Sequence, residues 1–164
     1  EAMTSTQWSG QLVIGKGWAM LDARLGANSA HSHLAHQVSI GFTDPINVVT
    51  DRQTSAKIGH ALVIPSGTVH RIGPEGVLTR SVYFDPTFTG HRIQTDPSAT
   101  EVDSISSKAL LAAQTHDDAA RWARTFAGRT NGSKIDARLS AALTKPWALR
   151  GAQALAEACL RYKA

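Results

Sequence analysis

The first ninety residues alternate between short apolar stretches and turn residues, and this alternation constrains the fold more than any other feature. Turns such as Gly15-Lys16-Gly17, Asp44-Pro45 and Gly73-Pro74-Glu75-Gly76 interrupt the apolar stretches at close spacing. Many short strands separated by glycine and proline turns favour a β-sandwich or β-barrel over alternating β and α units. The predicted strands cover Gln11–Ile14, Trp18–Leu21, Val38–Phe42, Ile46–Val49, Ala61–Ile64 and Leu78–Phe84.

The periodicity becomes helical from about residue 103. In Asp117–Ala127 the apolar residues recur at three- and four-residue spacing, which predicts a helix with Thr115 and Asp118 as a capping pair and Gly128 as its end. Further helices are predicted over Ser106–Gln114, Lys134–Leu143 and Trp147–Tyr162. We therefore expect a β-barrel over residues 5–93, a linker over 94–103 and a C-terminal helical tail over 104–164.

Composition limits the cellular context. No apolar run approaches the roughly 20 residues that a membrane span needs, and no signal peptide is evident, so we expect a cytoplasmic protein without a membrane partner. The single cysteine, Cys159, cannot form an intrachain disulfide and has the surroundings of an ordinary apolar residue. The net charge of +4 comes from the tail, where an ordinary solvated helix surface explains it better than an anionic partner does.

Three of the seven histidines fall within six residues, at His31, His33 and His36. Side chains alternate faces along a strand, so His31, His33, Ala35 and Gln37 are predicted to share one face, with His36 on the exterior. Imidazole nitrogens two residues apart can reach a common ion and suit Zn, Fe, Ni or Cu. A polar pocket lining without a metal is the alternative interpretation.

A second segment brings another histidine toward this face. Gly59 opens an apolar strand, Pro65-Ser66-Gly67 makes a tight turn, and His70 begins the returning strand. This hairpin could place His70 opposite His31 and His33, although a histidine that only bonds to the backbone would fit the same pattern. The remaining histidines, His60, His91 and His116, are interpreted as surface residues.

Together the two segments resemble the two cupin motifs. The second motif, Gly-x5-Pro-x-Gly-x2-His, is present from Gly59 to His70, and the first is present at both histidines with Gln37 in place of its carboxylate. The resemblance covers about residues 10–92 and implies a mainly β fold, a cupin jelly-roll barrel. It also implies a divalent metal, such as Zn, Ni, Fe or Mn, held by His31, His33 and His70 with Gln37 or water as a fourth ligand.

Within the cupins, the spacing from His31 to Gln37 resembles the sensor domains of AraC-type transcriptional regulators. Ala61–His70 resembles them too, and Ile135–Leu143 with Ala154–Cys159 resembles the entry to their helix-turn-helix arm. This resemblance implies a small-molecule effector and a homodimer. The recognition helices of that arm would lie beyond Ala164, so we expect no sequence-specific DNA binding by this chain alone.

Three functions remain open at this point. A sensor would bind its effector in the barrel, with Trp18, Phe42 and Tyr83 as apolar walls, and would shift the tail. A metal-dependent oxygenase or isomerase is the alternative, less favoured because the carboxylate of the first motif is missing. A binding module without a transcriptional role, such as a metal or sugar carrier, is the third.

Overall fold

The computed structural model describes residues 10–86 and 98–127, which form two antiparallel β-sheets followed by two helices. The strands of the large sheet are, in spatial order, β1 (Gly10–Gly15), β2 (Trp18–Arg24), β8 (Leu78–Phe84), β3 (His36–Gly41), β6 (Ala61–Ile64) and β9 (Thr100–Glu101). The small sheet contains β5 (Lys57–Gly59), β4 (Ile46–Thr50) and β7 (His70–Gly73). Because β8 lies between β2 and β3, distant strands pair, as in a jelly roll. The predicted mainly β barrel followed by helices is confirmed.

The two sheets face each other across a shared apolar core. In β4 the buried Ile46 and Val48 alternate with half-buried neighbours, as expected for a strand with one covered face. Leu62 and Ile64 of the large sheet pack against them. The full core between the sheets contains Leu25, Ile46, Val48, Leu62, Ile64, Ile72 and Ala99.

A second core lies on the outer face of the large sheet, where the helices α1 (Ser104–Ala112) and α2 (His116–Ala127) pack. Val38 and Ile40 of β3 belong to this core, so the intervening residues of β3 face the small sheet. Every residue of β3 is buried, because helices cover one of its faces and the barrel interior the other.

Local capping sets where the helices begin. The Asp103 carboxylate accepts a hydrogen bond from the backbone N–H of Ser106, which caps α1. At α2 the predicted capping pair is confirmed: the Asp118 N–H donates to Thr115 Oγ1, and the Thr115 N–H donates to the Asp118 carboxylate.

A buried arginine joins the sheet to the helices. Arg80 of β8 makes a two-pronged ion pair with Asp22 of β2, with both N···O distances 2.7 Å. Its other guanidinium nitrogen donates to the carbonyls of Leu110 (2.8 Å) and Ala113 (2.6 Å) at the end of α1. These bonds satisfy the buried charge and fix the end of α1 against β8.

Several sequence-based boundaries differ from the structure. The strands predicted over Ala61–Ile64 and Leu78–Phe84 match β6 and β8, whereas β5 and β9 were not predicted. Thr100–Glu101 lies within the predicted linker 94–103, yet it forms β9 and pairs with β6. Two residues are too short a stretch to show periodicity, so only the pairing defines this strand.

The predicted helices of the tail lie partly within and partly beyond the described residues, which end at Ala127. The helices predicted over Ser106–Gln114 and Asp117–Ala127 correspond to α1 and α2. Those predicted over Lys134–Leu143 and Trp147–Tyr162 lie outside the described residues, as does Gly128. None of the helices within 10–86 and 98–127 has the length and apolar character needed to cross a membrane.

Candidate metal centre

Three histidine side chains converge at one end of the barrel. The ring centroids of His31 and His70 are 4.6 Å apart, those of His33 and His70 5.1 Å, and those of His31 and His33 6.0 Å. One ring nitrogen from each residue lies within 4.8 Å of the others. Three imidazole nitrogens at this separation can bind a single metal ion.

Backbone hydrogen bonds bring the two motif segments together. The N–H of His31 donates to the carbonyl of His70 (3.0 Å), and the N–H of His70 donates to the carbonyl of His31 (2.8 Å). The N–H of Gly67 donates to the carbonyl of His33 at 2.9 Å. The predicted continuous strand through His31 is therefore wrong: His31 forms an isolated bridge, and β3 begins only at His36.

The turn before His70 is held by a histidine that the sequence pattern placed on the exterior. His36 does point away from Gln37, but it is only 7% exposed, and its Nδ1 accepts the backbone N–H of Ser66 at 2.9 Å. The Ser66 hydroxyl donates to the Leu34 carbonyl. Gly67 completes the turn at φ +75°, a left-handed conformation that favours glycine. His36 is thus a buried partner of the turn.

Each histidine of the cluster is oriented by the same kind of backbone contact. The Nδ1 atom faces a carbonyl oxygen two residues away, which can only accept a hydrogen bond, so Nδ1 carries the proton. The lone pair of each neutral ring is then on Nε2, as in metal-binding histidines whose other nitrogen donates to a carbonyl. The pairs are His31 with Ser29 (2.9 Å), His33 with Ala35 (2.8 Å) and His70 with Thr68 (2.9 Å).

The Nε2 atom of His70 is the strongest indication of a bound group. His70 is 1% exposed, and its Nε2 has no hydrogen-bond partner among the described residues. A buried polar atom without a partner costs free energy, so such an atom in a native site is expected to bind something. His31 is only partly buried, which leaves a route to the cluster from solvent.

Burial keeps the inner histidines neutral. It lowers the pKa of His70 from 6.5 to about 4, because the charged ring would lose its hydration and would lie beside His33 and His31. Burial also lowers the pKa of His33 below its ordinary value, because the charged ring would lose its hydration. Both rings are therefore in the neutral form that binds metals at neutral pH.

The donor set fits a borderline transition metal. Within residues 10–86 and 98–127 the cluster consists of histidines alone, with no carboxylate or thiolate joining it. Imidazole suits Zn, Cu, Fe and Ni, whereas Mn prefers sites with carboxylates. Of the metals predicted from the sequence, Zn, Ni and Fe fit these residues better than Mn.

Gln37 lies against a histidine ring. Its carboxamide is hydrogen-bonded to His33 Nε2 at 2.8 Å and to the Ser39 hydroxyl at 2.8 Å, and the Ser39 hydroxyl is bonded to that of Ser81 at 2.7 Å. All four side chains are buried. We call this chain from His33 to Ser81 the polar row. The predicted fourth ligand thus contacts the same nitrogen that a metal would bind.

No protein-family profile and no curated protein matches this chain. Solved structures that resemble it include a cupin-2 domain protein from Shewanella frigidimarina, with 15% identity, 49% of this chain and 83% of that chain covered, and a TM-score of 0.40. An RmlC-like cupin from Desulfovibrio desulfuricans has 16% identity, covers 52% of this chain and 96% of its own, and has a TM-score of 0.38. KdgF from Halomonas sp. has 15% identity, 51% and 85% coverage, and a TM-score of 0.39.

The fold agrees with the jelly-roll barrel that the two sequence motifs predict. The strand order pairs strands that are distant in the chain, and the bridge between His31 and His70 joins the two motif segments.

Of the three predicted wall residues, the barrel brings one to the cluster. The ring of Tyr83 lies edge-on to His33, with centroids 5.6 Å apart. Trp18 packs in the outer core beneath the helices, where its ring is 5.5 Å from that of His116. Phe42 lies beside Arg80, whose guanidinium is 5.3 Å from the ring centroid. Trp18 and Phe42 are therefore explained by packing.

Sequence reasoning missed the two serines of the polar row. Ser39, between the apolar Val38 and Ile40, and Ser81 are both buried, and they pair across β3 and β8. A polar residue at every second position of β3, at Gln37 and Ser39, was the available signal. As predicted, His60 and His116 are exposed, and His91 lies outside the described residues.

Proposed function

We propose that this chain is a small-molecule-binding cupin in which His31, His33 and His70 hold a divalent transition metal. The observation that carries this proposal is the buried Nε2 of His70, which lies beside two further imidazoles and has no hydrogen-bond partner within residues 10–86 and 98–127. A metal bound there would supply a Lewis acid for an oxygen or nitrogen group of the ligand. The polar row and Tyr83 would supply hydrogen bonds and a ring surface.

We further propose that the domain acts as a sensor of the AraC type. The support is the motif spacing from His31 to Gln37 together with a physical link from pocket to helices along β8. Ser81 ends the polar row on the barrel side, and the preceding residue, Arg80, donates to the end of α1 on the other side. A ligand that favours one placement of β8 would thereby favour one placement of α1.

Metal content tests the first part of the proposal. The chain is purified without a histidine tag, incubated with Zn, Ni or Fe, desalted and analysed by elemental mass spectrometry. We expect about one equivalent in the wild type, since three imidazoles form one site, and loss of that metal in His70→Ala. His60→Ala is the matched control, because His60 is exposed and outside the cluster. Metal in none of the samples, or equal metal in all three, contradicts the proposal.

Hydrogen exchange tests the sensor. Small molecules that raise the melting temperature of the metal-loaded wild type but not of His70→Ala are selected as pocket ligands. We expect such ligands to change amide exchange in α1, near the Arg80 contacts. Pocket ligands that leave α1 exchange unchanged would contradict the sensor. Sedimentation of the same samples tests the homodimer that belongs to this proposal.

A metal-dependent enzyme is the second candidate. The observation that favours it is a set of three protein ligands, which leaves coordination positions for water or substrate, as in catalytic metal sites. It ranks second because no aspartate, glutamate or cysteine of the described residues joins the cluster to act on a proton. Turnover of a pocket ligand by the metal-loaded wild type, absent in His70→Ala, would establish it over the sensor.

A further inference from the structure

Both ring nitrogens of His33 have a hydrogen-bond partner, but a neutral imidazole carries a proton on one of them only. Nδ1 lies 2.8 Å from the carbonyl oxygen of Ala35, and Nε2 lies 2.8 Å from the carboxamide of Gln37. A neutral imidazole has one proton to donate, and the Ala35 carbonyl can only accept. The proton therefore lies on Nδ1, and His33 Nε2 must accept.

The partner of His33 Nε2 must then be a donor, which determines how Gln37 is turned. The oxygen and nitrogen of a carboxamide occupy nearly equivalent positions, and the hydrogen-bond partners decide which is which. The structure places Gln37 Oε1 against His33 Nε2 and Gln37 Nε2 against Ser39 Oγ. Turning the carboxamide over directs its N–H at His33 and lets its oxygen accept from the Ser39 hydroxyl, which can accept from Ser81. Every bond of the polar row then has one donor and one acceptor.

We infer that Gln37 is not a fourth metal ligand but a hydrogen-bond donor to His33 Nε2, which a metal must displace to complete the three-histidine site. The inference rests on the proposed function, because it concerns the same site. Gln37 orients the His33 ring in the metal-free protein and opposes metal binding, since one lone pair cannot serve both partners. It is a positioning residue that lowers metal affinity.

The arrangement of the other two histidines supports this competition. In the described part of the chain, His70 Nε2 has no hydrogen-bond partner, and the hydrogen bond of His31 uses Nδ1. His33 alone has both nitrogens engaged. Two of the three nitrogens are therefore available to a metal without rearrangement, and the third is reached by breaking one hydrogen bond.

Zinc titration of Gln37→Leu tests whether Gln37 competes with the metal for His33 or binds the metal itself. Leucine has a similar size and cannot hydrogen-bond, so His33 Nε2 is released. Zinc affinity, measured by competition with a chromophoric chelator, is expected to rise about two- to tenfold, the equivalent of one hydrogen bond. Gln11→Leu makes the same substitution at an exposed residue of β1 outside the cluster and is the matched control, with unchanged zinc affinity expected. Circular dichroism confirms that each variant is folded.

The outcomes also separate this inference from the proposed function. If the wild type binds zinc and Gln37→Leu binds it equally or more weakly, the inference is overturned and the metal site stands. If neither chain binds zinc, both the proposed function and the inference fall.

Nitrogen-15 NMR of the wild type tests the inference without a substitution. In the metal-free protein we expect the Nδ1–H tautomer of His33 and a coupling across the hydrogen bond from the Gln37 amide to His33 Nε2. Zinc should abolish that coupling while the Gln37 amide remains in the spectrum. A coupling that persists in the zinc-loaded protein, or a His33 proton on Nε2 before zinc is added, overturns the inference.

Discussion

The two faces of the large sheet differ sharply, although the same strands build both. On the helix side, Val38, Val82 and Phe84 pack into a continuous apolar core with the helices. On the barrel side, Gln37 and Ser81 alternate with those residues and belong to a buried hydrogen-bonded row that ends at the histidines. The comparison teaches that one strand can supply stability and binding at once, because successive side chains point to opposite faces.

The largest loss of stability is expected from truncating Phe84, which packs in the core between the large sheet and the helices. Phe84 is completely buried, and its ring stacks with Phe126 and lies near Trp122. Phe84→Ala should lower the free energy of unfolding by about 3–5 kcal/mol, from lost burial and the cavity that remains. Urea denaturation measures the change. A loss below about 1 kcal/mol would mean that the helices contribute little to the fold.

The next largest effect is expected at the link between the two sides. Arg80→Met keeps most of the buried volume but removes the ion pair to Asp22 and the donors to Leu110 and Ala113. Because Asp22 retains some exposure, we expect a loss of roughly 2–4 kcal/mol. The double variant with Asp22→Asn should recover part of it. No recovery would indicate that most of the lost stability comes from the hydrogen bonds to the helix carbonyls and not from the ion pair.

On the barrel side, metal should stabilise the fold through His70. Zinc at about 100 times its dissociation constant should add about 2.7 kcal/mol to the free energy of unfolding of the wild type. Scanning calorimetry should show a rise in melting temperature that His70→Ala lacks and Phe84→Ala retains. A zinc effect in His70→Ala equal to that in the wild type would place the metal elsewhere.

Acid should weaken the metal-free barrel through the same histidine. The pKa of His70 is lowered from 6.5 to about 4 by burial, so the unfolded chain takes up a proton between these pH values and the folded chain does not. The stability due to neutral His70 is complete above pH 6.5, is lost as the pH falls toward 4, and amounts to about 3 kcal/mol. Urea denaturation with a chelator present, compared between the wild type and His70→Gln, measures it. Identical pH dependence of the two chains would contradict the assignment to His70.

The smallest effect is expected at the start of α1, outside both faces. The pKa of the exposed Asp103 carboxyl is lowered by hydrogen bonds from Ser106. Asp103→Ala should therefore lower the melting temperature slightly at neutral pH, and the difference from the wild type should shrink as Asp103 is protonated in acid. A difference that stays constant through the acid range would assign the effect to packing.

Local sequence pattern predicted much of the fold but less of the candidate site. The spacing of Pro65, Gly67 and His70 predicts the turn, and the structure has that turn with Gly67 at positive φ. The same kind of reasoning misplaced His36, because periodicity says which face a side chain takes but not whether a distant turn covers that face. It also left β9 undetected, because its pairing partner β6 lies far away in the chain.

The sequence by itself determined the strand-rich class, the helical periodicity after residue 103, and which histidines could meet in the barrel. Only the tertiary structure decided that Trp18 packs under the helices and that Phe42 lies beside Arg80. It also decided that Gln37 is bonded to the nitrogen of His33 that a metal would need. The physical reason is the separation along the chain over which each kind of interaction acts. Turn chemistry and side-chain alternation act between neighbours in the chain, whereas the covering of a face and the partner of a buried nitrogen depend on residues far away in the chain.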